Sequence, residues 1–493
     1  MECFGTFVDT THDKQCSRRW TTEKDPLRDR AGTNNNSEAA MVAYRDFINR
    51  KSFKPISVGF DPDLRGYPLF DFQHDIVRWA CNRGRGAIFA DTGLGKTLMQ
   101  LAWAHQVTIK TGRPVLILAP LAVSEQTIEQ GAVFDIQVER LRSDVFGQGI
   151  YITNYEQLKN IDCSQFVGVV LDESSILKGF DGKMRRYITA VFESTPYKLS
   201  CTATPSPNDL MEFGTQSEFL GIMSMTEMLA MFFIHDGEDT SKWRLKGHGR
   251  KKFWEWLSTW AVVIRSPKDY GYKAEGYDLP PLHIHEHVVP SGLMDGLLPW
   301  IAQSLSERNQ ARKVSVDARV EMAASIANAE KGQSLIWCNL NSESEKLTAA
   351  IQDSVQVYGS QKAEEKSRLL LGFSHGEVHN LISKPSICGF GMNWQNCNHM
   401  IFTGLSDSFE QYYQAVRRCW RFGQKKEVHV HIVSADSEGA VVANIKKKER
   451  QHNDISKEMV ACVKEFTVKQ LGKATKEKTE YKPNQKMGIP SWM

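Results

Sequence analysis

The 493-residue sequence lacks the features that mark secreted and membrane proteins. Its ten cysteines include no pair at Cys-x-x-Cys spacing, so neither a zinc site of the common kind nor a disulfide framework is expected. The longest apolar run, from Pro114 to Val123, is about half of the ~20 residues that a membrane-spanning helix needs. The first twenty residues contain charges and no apolar core, so we expect no signal peptide, no membrane partner and a cytoplasmic location.

A large excess of charge is also missing. Lys and Arg number 61 against 58 Asp and Glu, which gives a formal net charge of +3. Bulk charge therefore cannot drive binding to a polyanion, and any such binding must come from local patches. With 41% hydrophobic and 24% charged residues, the composition also excludes full-length disorder and collagen-like structure.

Short β-branched runs alternate with helical patterns in two separate parts of the chain. In the first part the predicted strands are Gly86–Ala90, Val115–Ala119, Gly149–Thr153, Val167–Leu171 and Tyr197–Cys201. In the second part they are Ser334–Cys338, Val355–Tyr358, Asn380–Ser383, His399–Phe402 and Val428–Val433. Such alternation is typical of parallel strands joined by crossover helices, so the predicted fold class is α/β, with two parallel-sheet domains and a helical insert between them.

Changes in composition predict the domain boundaries. We expect an N-terminal extension at 1–52, a first domain at 53–209, a helical Trp-rich and basic insert at 210–285, a second domain at 286–440 and a basic tail at 441–493. Between Lys446 and Lys486 the chain has 12 basic and 6 acidic residues, and such a run is more often solvated than functional.

A glycine-rich loop follows the first predicted strand. It runs Ala-Asp-Thr-Gly-Leu-Gly-Lys-Thr from Ala90 to Thr97, and a helical pattern comes next. Small residues let backbone N–H groups point into one concavity at a helix N-terminus, which is a site for phosphate. Lys96 would reach the β- and γ-phosphates and the Thr97 hydroxyl would bind Mg²⁺. The predicted ligands are ATP and Mg²⁺, and the predicted nucleotide-binding residues of the loop are Thr92, Gly93, Leu94, Gly95, Lys96 and Thr97.

Two adjacent carboxylates follow another predicted strand. The apolar run Val167–Leu171 delivers Asp172 and Glu173. Asp172 would coordinate Mg²⁺ and Glu173 would polarise the attacking water. Taken alone, the pair is equally typical of acids at the N-terminus of a helix. Its place downstream of the phosphate loop favours the catalytic interpretation.

Other polar groups lie at a strand end and in the second half. Thr202 and Thr204 at the end of a strand would form a short hydrogen-bonding bridge, although a plain strand end explains them as well. Arg418 and Arg421 are three residues apart, so on a helix they would share one face. They would act as arginine fingers, with a solvated basic helix as the alternative. Arg417 would lie about 100° round that helix, so we expect it to be dispensable.

The order of these motifs across residues 68–435 resembles the superfamily 2 helicases and translocases, which implies two RecA-like domains. The resemblance implies adenine recognition by Gln73 and further nucleotide contacts from the loop Gly389–Trp394, through Gly391 and Asn393. It implies coupling roles for Ser175 and Gln414, beside Thr202 and Thr204. It also implies nucleic-acid contacts from Pro120, Thr153, Asn154 and Asn339.

Details of the motifs narrow the resemblance. The ending Arg421-Phe422-Gly423-Gln424 is similar to the Swi/Snf branch. Ser175 stands where histidine is usual, and Arg417 stands where glycine is usual. The size and the Trp-rich insert resemble phage-encoded members, for which the location would be the host cytoplasm.

The insert admits two interpretations. Its basic residues Arg244, Lys246, Arg250, Lys251 and Lys252 alternate with aromatics, and such groups could contact a nucleic-acid backbone. Phe253, Leu257 and Trp260 have the spacing of an amphipathic helix, which would pack on the first domain with tryptophan in the core.

Together these features predict an ATP hydrolase that moves on nucleic acid, with duplex DNA favoured by the Swi/Snf-like ending. A strand-separating helicase in phage replication or recombination is one alternative. A motor subunit of a restriction or anti-defence complex is another, and it would bring a stable protein partner. A non-hydrolysing scaffold protein is the third.

Overall fold

The computed structural model describes residues 58–471 apart from gaps at 142–146, 179–181, 207–208, 236–242, 293, 296–297, 300–304 and 389–391. The described residues all belong to one compact unit of the chain. The predicted N-terminal extension therefore lies outside the described residues, as does the end of the predicted tail at 472–493.

Helices and strands alternate through most of the described chain. The helices are α1 (Asp71–Arg83), α2 (Lys96–Thr111), α3 (Leu121–Val133), α4 (Lys183–Val191), α5 (Glu212–Leu220), α6 (Met225–Phe232), α7 (Arg250–Ser258), α8 (Leu305–Val314), α9 (Val316–Ala329), α10 (Asn341–Ala350), α11 (Ala363–His375), α12 (Pro385–Cys388), α13 (Phe409–Val416) and α14 (Gly439–Gln470). The strands are β1 (Arg85–Ala90), β2 (Val115–Leu118), β3 (Val138–Arg140), β4 (Ile150–Thr153), β5 (Gly168–Asp172), β6 (Tyr197–Thr202), β7 (Phe233–His235), β8 (Trp243–Leu245), β9 (Ala261–Ile264), β10 (Leu282–Val289), β11 (Met294–Asp295), β12 (Leu298–Pro299), β13 (Ser334–Trp337), β14 (Ser354–Val357), β15 (Asn380–Ser383), β16 (His399–Thr403) and β17 (Val428–Ala435).

The first domain is built on a parallel sheet of seven strands in the order β3-β4-β2-β5-β6-β1-β9. Its central strands are continuous apolar runs because helices cover both faces of a parallel sheet. β2 and β5, for example, are buried along their whole lengths. The carboxyl ends of parallel strands meet at one edge, so the segments that follow β1, β5 and β6 come together there.

The second domain is built on a parallel sheet of six strands in the order β10-β17-β16-β13-β15-β14. One face packs on α11 and α13, through an apolar cluster that includes Trp337, Phe373 and Trp394. The other face packs on α9 and α10, through a cluster that includes Ile336 and Leu347. The predicted α/β class with two parallel-sheet domains is confirmed.

The segment predicted as a helical insert contributes a strand to each sheet. β9 pairs with β1 at the edge of the first sheet, and β10 pairs with β17 at the edge of the second. The short run Ala261–Ile264 was missed because a helical aromatic pattern directly precedes it. Before β9 the segment forms helices α5, α6 and α7 and the antiparallel pair β7-β8.

The aromatic residues of this segment belong to the core of the first domain. Phe253, Trp256 and Trp260 are each exposed by 1% or less. Trp260 packs edge-on against Phe89 of β1, at a ring distance of 6.0 Å. The structure therefore favours the interpretation of a helix packed on the first domain. The helix ends at Ser258, so Trp260 follows it rather than belonging to it.

The predicted basic tail begins as the long helix α14, which contacts both domains. Near its start the Lys448 ammonium donates to the carbonyl of Asp407, 3.1 Å away in the second domain. Further along, Glu458 accepts hydrogen bonds from Arg250 and from the Trp254 indole of the first domain. The expectation of a solvated tail is therefore wrong for residues 441–470. Within the described part of the chain, no helix has the combination of length and apolar character needed to cross a membrane.

Six histidines form a stack on one face of β10, β17 and β16. They are His283, His285, His287, His399, His429 and His431, with neighbouring rings 4.7–5.4 Å apart. Parallel register places them side by side, and the ring nitrogens of His285 and His429 are 3.1 Å apart. The flanking charged groups are Glu427 beside His283, and Glu330 beside His399, with Lys426 acting on His399 from a greater distance.

This stack predicts that folding stability falls in mild acid. Burial, together with the neighbouring histidines, lowers the pKa of His431 to about 4, and burial also lowers the pKa of His285 and His399. The unfolded chain, with an ordinary histidine pKa near 6.5, then binds more protons than the folded protein. Above pH ~6.5 these histidines are neutral in both states and do not lower the free energy of unfolding. As the pH falls towards ~4, protonation of the unfolded chain lowers that free energy. Thermal unfolding measured from pH 8 to pH 5 should show this loss.

The matched variants are His431→Gln and His248→Gln. Removing His431 should make the melting temperature less dependent on pH, whereas the exposed His248 should leave it unchanged. His452, whose pKa burial also lowers to about 4, keeps part of the dependence in both variants. Equal slopes in the wild type and His431→Gln would show that the stack does not control acid stability.

Candidate nucleotide site between the two domains

The loop between β1 and α2 has the backbone of a phosphate site. Gly93 and Gly95 have φ angles of 86° and 75°, a conformation that side chains other than glycine rarely adopt. A Cβ at Gly95 would lie 2.2 Å from the Gln73 amide nitrogen, so glycine is required there for space as well. The Lys96 ammonium donates to the carbonyls of Ala90 at 2.9 Å and Asp91 at 3.3 Å, which holds the cation over the loop.

Gln73 on α1 supports this loop from behind. Its side chain is buried, its Oε1 accepts from the Phe70 amide at 3.0 Å, and its Nε2 donates to the Leu94 carbonyl at 3.0 Å. Both ends of the amide are therefore used in fixing the loop. The contact to adenine that the resemblance implies stays a prediction.

Asp172 and Glu173 follow β5 next to the loop. The Gln100 amide donates to Asp172 Oδ1 at 2.7 Å, and Thr202 donates to Glu173 Oε2 at 3.2 Å. Burial raises the pKa of both carboxyl groups, that of Glu173 to about 7, and the Lys96 ammonium opposes this shift. Glu173 has a φ of 54°, so its backbone is strained at the position where the sequence predicts the catalytic base.

A chain of polar contacts leads from Glu173 to the second domain. The Thr202 hydroxyl, which donates to Glu173, also accepts from the Thr204 amide at 3.1 Å. The Thr204 hydroxyl lies 3.5 Å from Glu410 Oε1 on α13, and Lys178 forms an ion pair with Glu410. Thr202 and Thr204, for which the sequence predicts a short hydrogen-bonding bridge, thus lie between Glu173 and Glu410, and their role in coupling stays a prediction. Ser175 is buried on the short 3₁₀ helix Ser174–Lys178.

Arg418 and Arg421 meet at one carbonyl. Arg418 Nη1 lies 3.1 Å and Arg421 Nη1 lies 3.2 Å from the oxygen of Met392, and both donate to it. Arg418 also donates to the Gln414 side chain at 2.8 Å. The prediction that they share a helix face is wrong, because α13 ends at Val416 and both arginines lie in the turns that follow.

The charges of these two arginines suit an anionic ligand. Burial lowers the pKa of Arg418 to about 10, and Glu173 and Asp172 oppose this shift across the domain boundary. Burial and the neighbouring Arg418 lower the pKa of Arg421 to about 9. Even at these values both guanidiniums are cationic at neutral pH.

Arg417 points to the phosphate loop. Its guanidinium lies 3.0 Å from Asp91 Oδ2, and the Tyr413 hydroxyl donates to Asp91 Oδ1 at 2.5 Å. The expectation that Arg417 faces away from the site is therefore wrong. This expectation failed for the same reason as the predicted helix face of Arg418 and Arg421. The helix ends at Val416, so helical geometry does not give the direction of the side chains that follow.

Several buried polar atoms at the site have no hydrogen-bond partner within the described residues. They are Gln100 Oε1, Asn393 Oδ1, Gln414 Nε2 and Arg421 Nε. Buried polar atoms are normally paired, so these atoms, with the cationic groups around them, fit a bound nucleotide. Gly391, the other predicted residue of that loop, lies outside the described residues.

The residues present also fit Mg²⁺. A carboxylate at Asp172 and a hydroxyl at Thr97 are oxygen ligands of the kind that this ion takes beside phosphate and water. Across the described ranges, no group of three or more His, Cys, Asp or Glu side chains could hold a metal ion. One carboxylate and one hydroxyl suit an ion that shares its remaining positions with phosphate oxygens and water.

The candidates for nucleic-acid contact follow strands in both domains. Pro120 precedes α3 after β2, Asn154 follows β4, and Asn339 follows β13. Thr153 is only 5% exposed, which leaves little of it for contact. The Asn154 side chain accepts from the Gln157 amide at 2.9 Å, and the Asn339 side chain donates to the Gly404 carbonyl at 3.2 Å.

The basic run of the insert is largely used within the protein. Lys246 donates to the carbonyls at the end of α6, Arg250 forms an ion pair with Glu458, and Lys252 forms one with Glu255. Arg244 and Lys251 are exposed. This arrangement favours a structural role over direct contact with a polynucleotide for Lys246, Arg250 and Lys252.

The sequence interpretation missed four residues of the site. Gln100 was detectable, since it lies one helical turn after Lys96 and shares its face. Glu410 and Tyr413 lie on one face of α13, but their partners are more than 200 residues away. Lys178 follows the Asp-Glu-Ser-Ser segment, and nothing in the sequence indicates its pairing with Glu410.

Residues 318–423 match the family described as the helicase conserved C-terminal domain. No curated protein matches the chain in sequence. Among solved structures, the Sulfolobus solfataricus SWI2/SNF2 ATPase core in complex with dsDNA shares 17% identity at a TM-score of 0.38, covering 85% of this chain and 99% of that chain. The family match lies on the second parallel sheet.

Proposed function

We propose that this protein is an ATP-dependent motor of the superfamily 2 type that moves on nucleic acid, with duplex DNA as its preferred track. One observation carries the proposal. Asp172 and Glu173 of the first domain lie near enough to Arg418 of the second to oppose the lowering of its pKa, and Arg421 shares the Met392 carbonyl with Arg418. A nucleotide between the two domains would be bound by the first domain, and the second domain would complete its site.

Each group has a separate task in hydrolysis. Lys96 and the loop amides bind the β- and γ-phosphates, and Thr97 and Asp172 would hold the Mg²⁺ that neutralises phosphate charge. Glu173 takes the proton of the attacking water, for which its raised pKa suits it. Arg418 and Arg421 stabilise the charge that develops on the transferring phosphoryl group.

The contacts from Glu173 to Glu410 give hydrolysis a route to domain movement. Thr202 and Thr204 connect the catalytic carboxylate to α13, and Lys178 ties α13 back to the first domain. A change in the bonding of Glu173 during hydrolysis would therefore alter the contact between the domains. Repeated opening and closing would move the two domains along a polynucleotide that contacts both.

The nature of the track rests on two arguments. A helicase-type second domain is supported by the family match at residues 318–423. Duplex DNA is favoured by the Swi/Snf-like ending from Arg421 to Gln424. Since the chain lacks a strong net charge, we expect it to bind the polynucleotide through local contacts to phosphates. Such contacts do not distinguish one base sequence from another.

ATP hydrolysis should be stimulated by polynucleotide, and salt should weaken the stimulation. Basic groups release counterions when they bind phosphates, so the logarithm of the apparent affinity should fall linearly with the logarithm of salt concentration. The measurement is steady-state ATPase activity with duplex DNA, single-stranded DNA and RNA side by side, each at several salt concentrations. We expect duplex DNA to give the largest stimulation.

Lys96→Ala is the inactive control, because it removes the cation that faces the phosphates. Activity that is independent of every polynucleotide at low salt would contradict the motor and favour an enzyme activated by a protein partner. No activity above the Lys96→Ala background would favour the non-hydrolysing scaffold. A larger stimulation by single-stranded DNA or RNA would agree with a motor but would show that duplex DNA is not its preferred polynucleotide.

A further inference from the structure

One contact between the domains has no part in the hydrolytic steps described above. Asp91, the first residue after β1, accepts at Oδ1 from the Thr92 amide at 2.7 Å and from the Tyr413 hydroxyl at 2.5 Å. Its Oδ2 accepts from Arg417 at 3.0 Å. A single carboxylate thus joins the backbone of the phosphate loop to α13 and the residue that follows it.

The Arg417 side chain is held firmly in this position. Its guanidinium lies over the rings of Tyr413, at 5.2 Å, and Trp420, at 4.5 Å. The Trp420 indole in turn donates to the Pro280 carbonyl at 2.7 Å. A planar guanidinium favours such stacking, which a lysine ammonium achieves less well.

The ion pair is shielded from water. The Asp91 and Arg417 side chains are 14% and 12% exposed. Although burial alone would raise the pKa of Asp91, Arg417 and Tyr413 hold it below its ordinary value. Removal of either partner would leave the other charge buried and unpaired, so the pair strongly favours the arrangement in which the domains meet.

The neighbours of Arg417 in the chain are the two predicted arginine fingers. Arg418 follows directly and Arg421 lies four residues on, in the same series of turns. Their backbone is held within the second domain, for example by the Arg418 amide on the Ala415 carbonyl at 3.2 Å and the Trp420 amide on the Val416 carbonyl at 3.1 Å. The ion pair of Arg417 with Asp91 adds a contact that ties this segment to the first domain. Glycine, which is usual at position 417 in the proteins that the sequence resembles, could supply no such contact.

We infer that Asp91, Tyr413 and Arg417 form an interdomain latch that positions Arg418 and Arg421 over the phosphate loop when the domains close. The inference rests on the proposed function, since it assigns the latch to the hydrolytic cycle. Asp91 and Arg417 are positioning residues in this scheme: they act through the loop and through the arginines that follow.

A double-mutant cycle on the full chain tests the latch. The variants are Arg417→Gln, Asp91→Asn and the two combined, with kcat and KM measured at saturating duplex DNA. Misplacement of the catalytic arginines should lower kcat by roughly 10- to 100-fold in each single variant. KM for ATP should change little, because Lys96 and the loop amides stay. The combined variant should be no slower than the slower single variant, since the contact is already lost.

Two further variants serve as controls. Arg417→Lys keeps the charge and should recover part of the lost kcat. Arg65→Gln removes an arginine from the exposed pair with Asp63, in which the arginine side chain is 90% exposed, and should leave both constants unchanged.

Three results would overturn the latch. They are losses of kcat that multiply in the combined variant, a rise in KM at constant kcat, and equal kcat in Arg417→Gln and wild type. Thermal unfolding of the same variants tests whether the contact acts only on stability. A lower melting temperature at unchanged kcat would also count against the latch. A wild type without ATPase activity would instead remove the proposed function on which the inference rests.

Discussion

Replacing Glu173 by glutamine is expected to lower kcat by roughly 10²- to 10⁴-fold, the range that a positioned general base contributes. The substitution keeps the size of the side chain and can keep the hydrogen bond from Thr202. It removes only the carboxylate to which we assign the proton of the attacking water. Lys96, Thr97 and Asp172 are untouched, so ATP should bind with nearly unchanged affinity and persist. Single-turnover hydrolysis and equilibrium binding of ATP measure the two effects separately.

Glu193→Gln is the matched control, because it makes the same change at an exposed position of the first domain. It should hydrolyse ATP like the wild type. If Glu173→Gln and Glu193→Gln hydrolyse at similar rates, the base has been assigned to the wrong residue. A loss of ATP binding in Glu173→Gln would mean that this carboxylate acts in binding and not in the chemical step.

Replacing Arg418 or Arg421 by alanine is expected to lower ATP turnover by roughly 10³-fold or more, as for arginine fingers in related chemistry. Both guanidiniums donate to Met392 O, and Arg418 also interacts with Glu173 and Asp172 of the first domain. ATP binding should survive in both variants, because the phosphate loop belongs to the first domain. Turnover and nucleotide affinity, measured side by side, check this prediction.

The control for the arginines is Lys425→Ala. Lys425 is exposed a few residues further along the same segment, so its loss should leave turnover unchanged. Arg418→Ala also removes hydrogen bonds to Gln414, so its thermal unfolding must be compared with that of the wild type. Full activity in both arginine variants would contradict the two-domain site. An equal loss in Lys425→Ala would indicate a general effect of charge in this segment.

Apolar runs made the central strands of both sheets predictable. Gly86–Ala90 and Asn380–Ser383, for instance, were placed within one residue of β1 and β15. A strand that is buried on both faces needs a continuous apolar sequence, so a short run of this kind is characteristic of such a strand. The edge strand β10 escaped notice for the opposite reason. β10 alternates histidine with other residues, because an edge strand is partly exposed and its sequence is less constrained.

Local motifs also made one half of the site predictable. The phosphate loop and Asp172–Glu173 depend on residues that are close in sequence, because a loop between strand and helix builds its site from its own backbone. The helix predicted through Arg418 and Arg421 was wrong because spacing of three residues suits a helix but does not require one. Their convergence on Met392 depends on turns that spacing cannot reveal.

The sequence by itself determined the α/β class, and it supplied the candidates for the phosphate loop, the acidic pair and the two arginine fingers. Each of these follows from short-range rules: the period of apolar residues, the conformational freedom of glycine and the chemistry of adjacent side chains. Only the tertiary structure decided that Arg417 meets Asp91, that Glu410 meets Lys178 and that α14 contacts both domains. Those contacts join residues that are tens to hundreds of positions apart. Their geometry is set by how two separately folded sheets pack together, which no local pattern of residues encodes.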